Sequence, residues 1–170
     1  EIKSYTGRPY LKFRRPEGDL KEAQANLQET WQKVCGQLED LEKAFWAILP
    51  KLNGQTYKRN TFENVFTDLK TNAESNRLPR LSKQTLEKLS LFSIDTLNSK
   101  LKKEYKADAD APEIIQLQAL ANLGRDLQAI ESAEEAVFIC LQLDLLSYIN
   151  QSIAEQKKSR RERVFDDLLL

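Results

Sequence analysis

Histidine and methionine are absent from this chain of 170 residues, and cysteine and glycine are scarce. Without histidine, Ser-His and Cys-His nucleophile pairs and histidine-containing metal sites are excluded. The two cysteines, Cys35 and Cys140, fit no metal-binding spacing, and we expect both to be reduced core thiols. Only five glycines occur, and no two have the spacing of a phosphate-binding loop.

Net charge is also absent, because 26 Lys and Arg residues balance 26 Asp and Glu residues. Hydrophobic residues make up 41% and charged residues 31%, which is typical of a folded globular chain. No apolar run approaches the ~18 residues that span a bilayer, so we expect no membrane partner. The length suits one domain or one large subdomain, and the uncapped apolar end at Leu170 leads us to expect a segment of a longer protein.

A long helix is predicted from Asp19, because apolar residues recur at alternating steps of four and three over three heptads. Asp19 is the predicted N-cap, with Glu22 as its capping-box partner, and Pro50 and Gly54 end the helix. The predicted buried stripe consists of Leu27, Trp31, Val34, Leu38, Leu41, Phe45 and Ile48.

Shorter helices are predicted over 61–75, 82–90 and 93–105, with Ser82 and Ser93 as N-caps. Residues 106–112 read as an exposed loop, in which Asp108 and Asp110 are solvated carboxylates rather than metal ligands. The fold class is therefore all-α, a helical subdomain with two long antiparallel helices and shorter connecting helices.

The second long stretch is predicted to contain two helices. The first begins at Glu113, and a capping box over 132–135 predicts that a new helix starts at Ser132. The predicted inward residues are Ile115, Leu117, Leu120, Leu123 and Leu127 in the first helix, then Val137, Leu141, Leu145, Tyr148 and Ser152 in the second.

Basic residues crowd the end of this stretch, where Lys157, Lys158, Arg160, Arg161 and Arg163 are opposed only by Glu162. One interpretation is a solvated helix end, where cations complement the helix dipole. The other is a phosphate-facing surface, with Lys157, Arg160 and Arg161 aligned at i, i+3 and i+4.

Other residues could extend a nucleic-acid surface. The further phosphate-binding candidates are Lys58 and Arg59, then Lys100, Lys102, Lys103 and Lys106. Tyr57 is a candidate for base stacking, whereas Phe62 is expected in the core. No nucleophile, base and oxyanion donor come together in the sequence, so no catalytic residue is assigned.

The end of the chain resembles a known family. The basic helix end followed by Phe165, Asp166, Asp167 and Leu168 resembles the motif that closes subdomain 1B in UvrD/RecB-type superfamily 1 DNA helicases. Further landmarks resemble, in order, the beta-subunit (RecB) family of exodeoxyribonuclease V. They are Tyr5-Thr6-Gly7, Tyr57-Lys58-Arg59-Asn60, Asn76-Arg77-Leu78-Pro79 and Leu86-Glu87-Lys88, and the resemblance covers essentially the whole chain.

The resemblance implies a DNA-contacting accessory subdomain of an ATP-dependent helicase–exonuclease, which processes double-strand DNA ends for recombinational repair in the bacterial cytoplasm. ATP and Mg²⁺ would bind elsewhere in the parent enzyme, because the family's phosphate loop, Walker B acids, arginine finger and nuclease carboxylates are missing here. The implied partners are double-stranded DNA ends and, through the parent, the gamma and alpha subunits.

The implied organisation has three parts. Residues 1–18 are an irregular basic segment, 19–164 the helical subdomain, and 165–170 the truncated start of a helix that returns to the ATPase core. Asp166 and Asp167 would cap that helix, so Phe165 to Leu168 form a structural motif. The alternative is a helical protein-interaction module of an unrelated DNA-processing protein, whose long heptad face docks a partner helix.

Overall fold

The computed structural model of the protein describes residues 17–75, 77–108 and 111–160, without the side chains of 17, 18 and 157–160. These residues form an all-α fold, as predicted, with one isolated bridge between Leu52 and Leu101. The α-helices are α1 (Glu17–Ile48), α2 (Arg59–Ala73), α3 (Lys83–Leu89), α4 (Ile94–Lys100) and α5 (Pro112–Arg160). Short 3₁₀ turns occupy Leu49–Lys51, Ser90–Phe92 and Lys103–Asp108.

Helix α1 packs antiparallel on the first part of α5. Ala47, near the end of α1, shares a groove with Pro112 at the start of α5, whereas Asn26 shares another with Arg125 further along α5. Every residue of the predicted α1 stripe is buried, which confirms that prediction. The predicted N-cap is wrong, because the helix already includes Glu17 and Gly18 and Asp19 lies inside it.

An aromatic cluster fills the core where α1, α2 and the Ser90–Phe92 turn meet. The ring of Phe45 lies 4.7 Å from Phe62, 5.6 Å from Phe66 and 5.4 Å from Phe92, measured between ring centroids. Edge-on and tilted ring pairs at such distances add about 0.5–1.5 kcal/mol each to the burial of their surfaces. The predicted inward face of α2, from Phe62 to Leu69, is buried.

Polar contacts join α2 to the start of α3. One carboxylate oxygen of Asp68 accepts a hydrogen bond from the Ser82 backbone N–H at 2.9 Å, and the other accepts one from Asn72 Nδ2 at 3.1 Å. Burial raises the pKa of Asp68, but the hydrogen bonds from Thr85, Ser82 and Asn72 outweigh it and hold this pKa below its ordinary value.

Both predicted serine N-caps are confirmed. The Ser82 hydroxyl accepts from the Thr85 N–H at 3.2 Å, and the Ser93 hydroxyl accepts from the Thr96 N–H at 3.3 Å. Helix α4 ends earlier than predicted, at Lys100, because the next residue is extended and pairs with Leu52. The predicted exposed loop is also partly wrong, since its first residues belong to the Lys103–Asp108 turn.

Helix α5 is continuous across the position where a new helix was predicted to start. Ser132 and Glu135 lie in the interior of this 49-residue helix, so their predicted capping box is wrong. Residues 125–160 contain neither proline nor glycine, and uninterrupted helix formers outweigh a local capping preference. Gly124 lies against α3, where an added Cβ would stand 2.8 Å from Leu89 Cβ.

The predicted inward stripe is confirmed only in the first part of α5. Leu117, Leu120 and Leu123 are buried, but Ile115 is 54% exposed. Further along, the inward prediction is wrong: Leu141, Leu145 and Tyr148 are 61%, 58% and 68% exposed. The reason is that α1 is shorter than α5, so its first residues cover α5 only as far as a short half-buried stretch. The half-buried residues of that stretch are Ala133, Ala136, Val137 and Cys140.

Candidate nucleic-acid interface

The predicted phosphate-binding residues lie at the far end of α5. The helix backbone includes Lys157, Lys158 and Arg160. A continuous helix puts residues three apart on neighbouring turns, so Lys157 and Arg160 share one side. Arg161 and the motif formed by Phe165, Asp166, Asp167 and Leu168 lie outside the described residues, as do Arg163 and the predicted basic segment before residue 17.

The second predicted basic pair lies at the start of α2. Lys58 is exposed and occupies the N-cap position, where its side chain makes no capping hydrogen bond. The Arg59 guanidinium donates to Glu63 Oε1 at 3.0 Å and stands 5.7 Å from the Trp46 ring centroid. Its ion pair is largely exposed and therefore stabilises little. These contacts hold the guanidinium between Glu63 of α2 and Trp46 of α1.

The base-stacking prediction for Tyr57 is wrong. Tyr57 is 2% exposed, stacks on Phe62 and donates its hydroxyl to the Leu91 carbonyl oxygen at 2.8 Å. Burial raises the pKa of Tyr57. Phe62 lies in the core, as predicted. Neither ring is accessible to a nucleic-acid base.

The remaining basic candidates surround the junction of residues 49–52 with residues 100–108. Lys102 Nζ donates to the Pro50 carbonyl oxygen at 2.6 Å, while Lys100, Lys103 and Lys106 are exposed. Asp108, predicted to be solvated, accepts a hydrogen bond from Lys51 at 2.8 Å, and Asp110 lies outside the described residues. This hydrogen bond raises the pKa of Lys51, with smaller electrostatic support from Glu113 and Tyr105.

No catalytic constellation occurs in the described part of the chain. Among its residues, no group of three or more Cys, Asp or Glu side chains could hold a metal ion. One surface groove, of about 400 Å³, is lined by Trp31, Cys35, Arg77 and Leu78 among others. Burial raises the pKa of Cys35, so its thiol carries little nucleophilic thiolate at neutral pH.

The two cysteines are free thiols, as expected, but they are only half-buried rather than core residues. Cys35 lies on α1, where it packs against the core, and Cys140 lies on α5. Among the described residues, neither thiol has a basic partner.

The most conspicuous surface of the molecule is apolar, and the sequence prediction missed it. We call residues 138–156 the α5 overhang, because this part of α5 extends beyond the start of α1. Its nine exposed large apolar residues are Phe138, Ile139, Leu141, Leu143, Leu145, Leu146, Tyr148, Ile149 and Ile153. A comparison of lengths would have found it, since α1 is too short to cover both halves of α5.

Helix α5 also has the length and composition of a membrane-spanning helix. Within the described residues, Pro112–Gln156 is long and apolar enough to cross a membrane by length and composition, and its apolar window is not buried. The sequence prediction considered only uninterrupted apolar runs, whereas this window tolerates Gln142 and Asp144. Single helices of this kind are weak indications, so the absence of a membrane partner stays a prediction.

Comparisons with known proteins add no family assignment. Scans against protein-family models, curated proteins and solved structures found no match to this chain. The resemblance to UvrD/RecB-type helicases therefore stays a prediction that rests on the sequence motifs alone.

Proposed function

We propose that this chain is a DNA-contacting accessory subdomain of an ATP-dependent helicase–exonuclease that processes double-strand DNA ends for recombinational repair. The observation that supports this function best is the continuity of α5. One helix of 49 residues runs from the packed core to Lys157, Lys158 and Arg160. At a rise of about 1.5 Å per residue, it measures about 74 Å. Such a helix is a rigid support for a basic surface held away from the core.

The mechanism is electrostatic and independent of sequence. Lysine and arginine neutralise backbone phosphates and release condensed counterions, whereas reading bases requires side chains that reach into a groove. Tyr57 and Phe62 are buried, so neither ring can stack on a base at the α2 site. The basic end would therefore position duplex DNA while the parent enzyme unwinds it.

Chemistry would be supplied by the rest of the parent enzyme, in the bacterial cytoplasm. ATP and Mg²⁺ would bind to its ATPase core, and the gamma and alpha subunits would assemble with it on the DNA end. We expect the isolated 170-residue chain neither to hydrolyse ATP nor to cut DNA. If the purified chain hydrolysed ATP in a reaction stimulated by duplex DNA, this expectation would be contradicted.

A salt titration tests the DNA contact. Anisotropy of a labelled blunt duplex measures its affinity for the wild-type chain and for Lys157→Ala/Arg160→Ala/Arg161→Ala. We expect weak wild-type binding, with a Kd on the order of 10⁻⁴–10⁻⁶ M. The triple variant should bind more weakly, and its slope against log salt should be shallower by about 0.9 for each phosphate that is no longer neutralised.

A matched control removes the same number of charges elsewhere. Arg80, Lys83 and Lys88 lie at or near α3, which contacts α5 at Gly124, about 50 Å along the helix from Lys157. Replacing all three with alanine should preserve the affinity and the salt slope. If both triple variants lose the same affinity for the duplex, or if neither loses any, the basic run at the end of α5 is only a solvated helix end.

A protein-interaction module is the second candidate, and the α5 overhang favours it. The heptad face of α1 is not available as the docking surface for a partner helix, because Trp31, Leu38 and Phe45 are buried and helix α5 packs along α1. The exposed apolar residues of the α5 overhang supply a different docking surface. This function would survive loss of the three basic residues but not loss of the overhang's apolar side chains, which separates it from DNA binding.

A further inference from the structure

A short backbone pairing joins the end of α1 to the segment that follows α4. We give the name lysine junction to residues 49–53 and 100–108. The Lys102 N–H donates to the Lys51 carbonyl oxygen at 2.9 Å, and Leu52 and Leu101 form the bridge beside this hydrogen bond. Both leucine side chains are buried in the core. The lysine junction is therefore a fixed part of the fold, anchored by its two leucines.

The pairing brings two lysines next to each other. Lys51 and Lys102 lie opposite one another across it, where like charges repel. Lys51 donates to a carboxylate oxygen of Asp108 at 2.8 Å, whereas Lys102 Nζ donates to a neutral group, the Pro50 carbonyl oxygen, at 2.6 Å. Only one of the two facing charges is therefore balanced by an acid.

The rest of the lysine junction adds positive charge. Its other lysines are exposed, and within the described part of the chain the junction has a single ion pair, that of Lys51 with Asp108. The five lysines of the junction are Lys51, Lys100, Lys102, Lys103 and Lys106. The acids that lie in it or beside it are Glu104, Asp108 and Glu113, and Asp110 lies outside the described residues. The lysines outnumber these acids, so the junction attracts anions.

An exposed aromatic ring lies among these lysines. Tyr105 is 36% exposed, whereas every other aromatic residue described outside α5 is buried or half-buried. Lys51 Nζ stands 5.8 Å from the centroid of the Tyr105 ring. The junction therefore combines cations, which bind phosphates, with a flat ring on which a base can stack.

This combination fits a single nucleic-acid strand better than a duplex. In a duplex the faces of the bases are stacked on each other, and lysines alone suffice to bind its phosphates. In a single strand the bases are free to stack on an aromatic side chain while basic residues follow the phosphates. The exposed ring is the feature that favours the single strand.

We propose that the lysine junction is a binding site for single-stranded DNA, in which its exposed lysines neutralise phosphates and Tyr105 stacks on a base. The junction adjoins Pro112 at the start of α5, about 68 Å along the helix from Lys157, so this site is separate from the duplex contact proposed above. The choice of DNA over RNA rests on the proposed function, because unwinding by the parent enzyme would produce single-stranded DNA.

Anisotropy of a labelled oligothymidylate, titrated with the 170-residue chain at several salt concentrations, tests the phosphate contacts. The variant is Lys100→Ala/Lys103→Ala/Lys106→Ala, which keeps Lys51 and Lys102 because their hydrogen bonds hold the junction together. It should bind the oligothymidylate more weakly than the wild type. Its slope against log salt should be shallower by about 0.7 for each phosphate that is no longer neutralised.

The matched control is Arg80→Ala/Lys83→Ala/Lys88→Ala, which removes three charges outside the junction and should preserve the affinity and the salt slope. Equal losses in the two triple variants overturn the proposal, because binding would then depend on total charge alone. A wild-type chain that does not bind oligothymidylate at low salt also overturns it. Clearly tighter binding of oligouridylate than of oligothymidylate would contradict the assignment to DNA.

Substitution of Tyr105 separates the single strand from the duplex. Tyr105→Ala should weaken binding of the oligothymidylate roughly fivefold or more, because it removes the stacking ring. Tyr105→Phe keeps the ring and should keep the affinity. Binding of a labelled blunt duplex should be the same in both variants as in the wild type. If Tyr105→Ala has no effect on either DNA, or weakens both equally, the ring does not stack on a base and the single-strand site is refuted, whatever the outcome for the duplex contact at the end of α5.

Discussion

The close approach of α5 to α3 predicts that one substitution has opposite effects in the two long helices. Gly36 lies in α1 with nothing within 4 Å of the position of an added Cβ. Gly124 lies in α5, where that Cβ would stand 2.8 Å from Leu89 Cβ and 3.7 Å from the Leu89 carbonyl carbon. Because these Leu89 atoms belong to or adjoin the backbone, rotation of the leucine side chain cannot relieve the contact.

The magnitudes follow from two terms. Glycine in a helix interior costs about 0.5–1 kcal/mol relative to alanine, so Gly36→Ala should stabilise the fold by that amount. Gly124→Ala gains the same term but overpacks the contact between α5 and α3, which costs about 1–3 kcal/mol. We expect a net loss of up to about 2.5 kcal/mol for Gly124→Ala.

Urea unfolding followed by circular dichroism measures both variants. The double variant should equal the sum of the two changes, because the sites lie in different helices and share no contact. Stabilisation by Gly124→Ala equal to that by Gly36→Ala would refute the close approach of α5 to Leu89.

Two further predictions concern the core and the polar contacts between α2 and α3. Phe45→Ala should cost about 3–5 kcal/mol in urea unfolding, because its ring is fully buried among other aromatic rings; Phe138→Ala, at an exposed ring, should change stability by less than about 0.5 kcal/mol. Asp68→Asn should cost about 1–3 kcal/mol at neutral pH, since it removes a charged hydrogen-bond acceptor. The lowered pKa of Asp68 makes its contribution complete above the unfolded carboxyl pKa of about 3.9, and that contribution is lost as the pH falls through the lower folded value. The difference in the free energy of unfolding between wild type and Asp68→Asn should therefore shrink on acidification. The control Asp40→Asn, at an exposed carboxylate, should have little effect on stability. If the Asp68→Asn difference does not depend on pH, the charge of Asp68 does not contribute to stability.

The parts of the fold that local physics determines were predictable from the sequence. A heptad stripe such as that of α1 must be buried somewhere, and a serine before a helical run satisfies the free N–H groups of the first turn. Both features are properties of a single helix and its first turn. The α1 stripe and the Ser82 and Ser93 caps are accordingly present in the structure.

The parts that depend on tertiary context were not predictable in the same way. The apolar residues of the α5 overhang have helical periodicity, but periodicity does not reveal whether a partner reaches them, and α1 ends too soon. Tyr57 adjoins a basic pair in the sequence and nevertheless packs on Phe62 in the core. Ser132 has the local pattern of an N-cap, yet the surrounding residues continue the helix through it.

The continuity of α5 across Ser132 supports the proposed function, and a proline substitution tests it directly. If a new helix began at Ser132, residue 133 would be its first position, where proline is well tolerated. In a continuous helix the same proline removes a hydrogen bond and costs about 3 kcal/mol. We therefore predict that Ala133→Pro lowers the helical ellipticity of the chain at 222 nm, while Ser132→Ala leaves stability nearly unchanged. Unchanged ellipticity in Ala133→Pro, together with a loss of about 1 kcal/mol in Ser132→Ala, would show instead that a capped helix starts at Ser132 and would contradict the continuous α5.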